Sequence, residues 1–280
     1  MNIIKNLFKT TIVVSSGLCS LLVVALPGEA ITFARSTSSF SFNSFSQPPS
    51  SVSTSADTDT LTLSSGDGTA IAEADAAALF SQDPAFSLNR VVSEALGTGS
   101  NYLGIAESQA SVLGQFEILA NTSFDFSFIG LLDLFSEVDD PVSEQAQATA
   151  GITFALIDEA ATVLSSFELF GNLNTPGGGD VLSVDSTPNV NWTIDSSVFS
   201  SGPDNLAETA SIVVSGNYSQ SFVQAQRLTL VEFKASDALV AQTPVVQPPV
   251  QTPEPGILLA LVSFGGGILG LRQTKNIATR

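Results

Sequence analysis

Residues 123–135 read SFDFSFIGLLDLF. Phe124, Phe126, Phe128, Leu132 and Leu134 alternate with Asp125, Ser127 and Asp133. A period of two scatters side chains around a helix but gathers them on one face of a strand, so this stretch has one apolar face only if it is extended. Gly130 interrupts the run and is expected to mark a bulge. The same period returns in GITFALIDEAATVLSSFELFGNL, residues 151–173. Ile152, Phe154 and Leu156 alternate outward along the chain, residues 158–162 turn, and Phe167 and Leu169 alternate back, which predicts a hairpin. Pro176, three glycines and Asp180 then read as a turn. Ile212 and Val214 enclose Val213, a strand apolar on both faces. RLTLVEFKA places Leu228 and Leu230 against Val231 and Phe233.

Strands recur every ten to twenty residues, with Gly, Pro, Asn and Asp between them and no sustained helical period. Residues 31–240 are therefore expected to form one all-β body, an antiparallel β-sandwich or jelly roll. Its first part is rich in Ser and Thr. Phe33, Phe40, Phe42 and Phe45 there predict a short strand or strap, followed by a loop through Pro48 and Pro49. TAIAEADAAALF, residues 69–80, is ambiguous. Its alanines suit a helix by propensity. Glu73 and Asp75 alternate with Ala72, Ala74 and Ala76, which suits a strand, and the surrounding pattern favours the strand.

Composition narrows the function. The 280 residues carry 9 Lys and Arg against 27 Asp and Glu, a net charge of -18. Such a field repels phosphates, and no nucleic-acid partner is expected. There is no histidine, which removes the commonest general base, the Ser-His-Asp triad and His-ligated zinc. The one cysteine, Cys19, lies in the apolar N-terminal stretch.

Both ends read as processing segments. Lys5 and Lys9 precede an uncharged, largely apolar run over residues 10–26. Pro27 breaks it, and Gly28 and Ala30 are small residues placed for cleavage after Ala30. This is the pattern of a secretory signal peptide, expected over residues 1–30; the alternative is a short uncleaved anchor. Residues 241–255, AQTPVVQPPVQTPEP, form a proline-rich linker that favours an extended spacer. Residues 256–271 are uncharged and mostly apolar. As a single transmembrane helix they reach roughly 24 Å, against a ~30 Å hydrocarbon core. Local thinning or snorkelling of Arg272 closes the gap. Arg272, Lys275 and Arg280 in residues 272–280 hold that end in the cytoplasm. Without both ends, four cations remain against 25 or 26 acids, a net charge of -21 or -22.

Pro253-Glu254-Pro255 directly before an apolar segment and a basic tail resembles the bacterial PEP-CTERM sorting signal. The resemblance covers roughly the last 30 residues, and the tail RQTKNIATR is more diffuse than the family's compact basic run. It implies recognition by an exosortase, a membrane-embedded cysteine protease, and a place at the cell surface or in the extracellular matrix. A plain single-pass anchor is the alternative. SFDFSFIGLLDLF, FELFGNLNTPGGGD and LTLVEFK also loosely resemble exported cyanobacterial proteins bearing this signal. That likeness supplies no catalytic residues.

Candidate binding chemistry is sparse. Asp57 and Asp59 form a DxD, and Glu137, Asp139, Asp140 and Glu144 surround Pro141. Calcium is the cofactor such loop carboxylates would suit, with Glu137, Asp139 and Asp140 as ligands, although neither stretch has a complete calcium-loop spacing. A solvated acidic loop is the simpler reading. Trp192, Tyr102 and Tyr218 are the aromatics that a glycan-binding module would expose, and a core position for Trp192 is the alternative. A hydrolase using two carboxylates ranks last, because no motif singles out a pair. The expected role is non-enzymatic: a structural or interaction protein of the surface, with extracellular polysaccharide as one partner.

Overall fold

The computed structural model describes residues 31–242. Ala30, Cys19, Pro253, Glu254, Pro255, Arg272, Lys275 and Arg280 lie outside the described residues, as do the expected signal peptide and transmembrane segment. Among the described residues no helix is long and apolar enough to cross a membrane.

Twelve strands follow one another: β1 (Ile31–Asn43), β2 (Ser51–Ser64), β3 (Thr69–Gln82), β4 (Ala85–Thr98), β5 (Tyr102–Ile118), β6 (Thr122–Glu137), β7 (Glu144–Asp158), β8 (Val163–Thr175), β9 (Val181–Ser186), β10 (Val190–Ser201), β11 (Ala207–Phe222) and β12 (Gln226–Gln242). They form two six-stranded sheets of order β10-β11-β6-β1-β4-β3 and β2-β5-β12-β7-β8-β9. Every pairing is antiparallel. The sheets pack face to face as a β-sandwich, and a large and a small apolar cluster each draw residues from both.

The alternating stretches form the central strands. Phe124, Phe126, Phe128, Leu132 and Leu134 of β6 all point inward and are buried. The predicted hairpin is β7–β8, with the Asp158 carboxylate accepting from the main-chain N–H of Ala160 and Thr162. TAIAEADAAALF is β3, an edge strand in which Ala70, Ala72, Ala74, Ala76 and Ala78 face inward and Ala77 faces out. Phe rings fill one end of the core: Phe154 stacks on Phe167 at 5.5 Å, Phe40 on Phe128 at 5.5 Å and Phe126 on Tyr218 at 5.2 Å.

Two expectations are corrected. The Ser/Thr-rich start is a strand, one of the two readings, but not a short one. It supplies β1, a 13-residue central strand, and β2, a 14-residue edge strand. Phe33 leaves the expected group and faces outward against Phe135 at 5.9 Å. Gly130 makes no bulge, because the register with β1 and β11 runs through it unbroken. It faces inward, where a Cβ would lie 3.1 Å from the Phe40 ring and 3.2 Å from Val214. The glycine makes room for that ring.

Candidate functional site

The acidic stretch after β6 is held by its own backbone. Glu144 is buried, and its Oε2 accepts from the main-chain N–H of Asp139 and Asp140, each at 2.9 Å. Its Oε1 accepts from the Tyr102 hydroxyl at 3.3 Å. Asp139 accepts from the Ile31 N–H at 2.8 Å. Asp140 accepts from the Val142 N–H at 3.0 Å and the Ser143 hydroxyl at 2.7 Å. The Ser143 hydroxyl is the first cause holding the Asp140 carboxyl below the ordinary range. Glu137 stands apart on β6, and partial burial, followed by the Asp139 carboxylate, raises its carboxyl. Among the described residues no three of His, Cys, Asp and Glu gather closely enough to hold a metal ion.

The aromatic candidates separate. Tyr102 is fully buried, with its hydroxyl against Thr32 and Glu144. Tyr218 is fully buried and donates to Gln220 at 2.7 Å. Burial raises both phenols and takes both rings out of reach of a ligand at the surface. Trp192 is half-buried on the edge strand β10. Its indole N–H donates to Ser186 on β9 at 2.9 Å, and its ring meets Phe167 edge-on at 6.5 Å. Ile194 and Phe199, on the same strand, are about half exposed.

Asp59 belongs to a row of carboxylates on the outer face of the second sheet. Asp59 stands opposite Glu107, and Glu107 opposite Asp237. Thr149 of β7 closes the row beyond Asp237. Burial, then the Glu107 carboxylate, pushes the Asp237 carboxyl up to about 7.

The densest chemistry is internal and was not singled out from the sequence. Glu232 and Lys234 on β12 point inward with fully buried side chains, Lys234 Nζ 3.1 Å from Glu232 Oε1. Across the core, Asn89 on β4 donates its side-chain N–H to Glu232 Oε2. The Lys234 amine donates to the main-chain oxygen of Asn89 at 2.8 Å and lies 5.9 Å from the centre of the Phe40 ring. One carboxyl thus bridges two nitrogens from opposite sheets. Burial pushes the Lys234 amine down to about 8 and the Glu232 carboxyl up, each opposed by its partner. Beside this set, Ser93 meets Ser108 at 2.7 Å and Ser236 at 3.0 Å. A signal existed in the sequence: Glu232, Lys234 and Ser236 share the parity of the core residues Leu228, Leu230, Ala238 and Val240.

The fold defines the chain as an all-β sandwich with polar groups joined across its interior. No family model matches it, and no curated protein matches it significantly.

Proposed function

We propose that the chain is an exported protein of the cell surface or extracellular matrix, with a non-enzymatic structural or interaction role. A signal peptide ending at Ala30 would export it, and Pro253-Glu254-Pro255 with the following apolar segment would present it to an exosortase. The observation that carries the role is where the sandwich keeps its chemistry. Closely arranged polar groups lie between the sheets and join them, while the described residues carry four cations against 25 acids, a net charge of -21. A charge of that size favours a hydrated, cation-attracting exterior. Cysteine is confined to position 19, so the sandwich is indifferent to an oxidising compartment.

A second reading is a glycan-binding module at the β9–β10 edge, calcium-assisted or not. It is favoured by Trp192, the one candidate aromatic left half-buried, on the same edge strand as exposed Ile194. The deciding experiment incubates mature protein from its own host with that host's extracellular polysaccharide, with calcium and with chelator. Absence of saturable binding in both conditions supports the structural role. Saturable binding that quenches the fluorescence of the single tryptophan supports the module.

A further inference from the structure

We propose that Lys234 and Asn89 condense into an isopeptide bond that ties β12 of one sheet to β4 of the other, with Glu232 moving the proton between them.

Such a reaction needs an amine beside an amide carbon, a group that relays protons between nucleophile and leaving nitrogen, and exclusion of water. Lys234, Asn89 and Glu232 offer the amine, the carboxamide and the relay, and the residues around them exclude water. Lys234 Nζ is 2.8 Å from the main-chain oxygen of Asn89, the residue whose Cγ it attacks. Glu232 touches both ends of the reaction: Oε1 faces Nζ at 3.1 Å and Oε2 accepts from Nδ2. Asn89 Oδ1 is buried with no hydrogen-bond partner, which leaves one side of the carboxamide free of competing contacts. The walls are apolar. Phe40 adjoins Asn89 in register, and Ile152, Phe154, Ala110 and Val112 flank Lys234 and Glu232. Each of these is 2% exposed or less.

Burial also favours the reactive protonation states. It disfavours the ammonium and the carboxylate together, so a neutral amine beside a protonated carboxyl becomes accessible. From that state the Nζ lone pair attacks Cγ and the Nζ–Cγ bond forms. Glu232 gives its proton through Oε2 to Nδ2 and takes one from Nζ through Oε1. The Cγ–Nδ2 bond breaks and ammonia leaves. One amine and one carboxamide become one secondary amide and one ammonia. No oxidant or reductant is consumed, and Glu232 ends protonated as it began.

A buried pair alone is a weak source of stability, because apolar residues of the same shape often do as well. A covalent tie across the core is a different matter for a protein held between a membrane and a matrix. The bond itself does not depend on that address.

The test is peptide mass spectrometry of full-length or mature wild-type protein after tryptic digestion. The expected product joins the peptide of residues 36–90 to a peptide beginning at Leu228. It is lighter than the two together by one ammonia, and trypsin does not cut after Lys234. Separate peptides, with Asn89 intact and cleavage after Lys234, would overturn the proposal with no variant needed. Lys234→Met should abolish the linked species. Asn89→Asp should retain a link that releases water instead of ammonia, which excludes a cyclised asparagine as the source of the mass loss. Glu232→Gln should fold to the same strand content and remain unlinked. Full linkage in that variant would overturn the role of Glu232.

Discussion

Asp237 shows how one position can carry a pH dependence for the whole sandwich. It faces outward between Glu107 and Thr149, with Asp59 one strand further on. Its carboxyl is raised from 3.8 to about 7. The folded state therefore keeps the proton over a range where the unfolded chain has lost it. The contribution is fully present below about pH 4 and is lost as pH rises through about 7. Asp237→Asn removes the charge and keeps the shape. It should raise unfolding stability at pH 8 by about 1–2 kcal/mol and leave it unchanged at pH 4, read from denaturant midpoints. A variant equally stabilised at both pH values would contradict the buried charge. Gly97 is a second decisive position. A Cβ there would lie 1.9 Å from the buried Tyr102 ring. Gly97→Ala should cost about 2–3 kcal/mol in the same measurement, the scale of an overpacked core.

Among the elements, legibility followed contrast between the two faces of a strand. β6 and the β7–β8 hairpin were readable because large apolar residues alternate with small polar ones, whereas β11 and β12 were readable from runs of β-branched and large apolar residues on both faces. β2 was not, because STSADTDTLTL offers no such contrast. It is an edge strand exposed on both sides, and its inner face needs only small residues opposite the alanines of β3. Threonine favours a pleated backbone there without announcing a core. Tyr102 and Tyr218 were misplaced for a related reason: a phenol satisfied by Thr32, Glu144 or Gln220 can be buried as fully as a phenylalanine. The acidic stretch reads as a solvated loop with calcium as the alternative, and the N–H donors that occupy its carboxylates are not visible in residue order. Hydrogen exchange should separate these classes. Amides of β6, β7 and β12 should exchange through global unfolding, whereas those of β2 and the exposed half of β10 should exchange orders of magnitude faster. Uniform protection across the twelve strands of the described residues would contradict the edge assignments.

At the scale of the whole molecule, the two sheets are joined more intimately than their apolar core requires. Asn89 and Lys234 are 145 residues apart in the chain. By the loop-closure relation developed for disulfides, a link there removes freedom from the unfolded state worth about 5 kcal/mol. Cysteine-free and strongly acidic, such a body would suit the export proposed above. The proposed address is easier to read in the sequence than the interior is. Signal and sorting segments are linear patterns, whereas a pairing of β4 with β12 across a core exists only after folding.

The central claim, export followed by sorting at the C-terminus, is tested most directly by terminal mass analysis of the protein recovered from the surface of its host. The account predicts an N-terminus at Ile31 and no peptide from residues 272–280. A surface pool that still begins at Met1, or still carries Arg280, would contradict it.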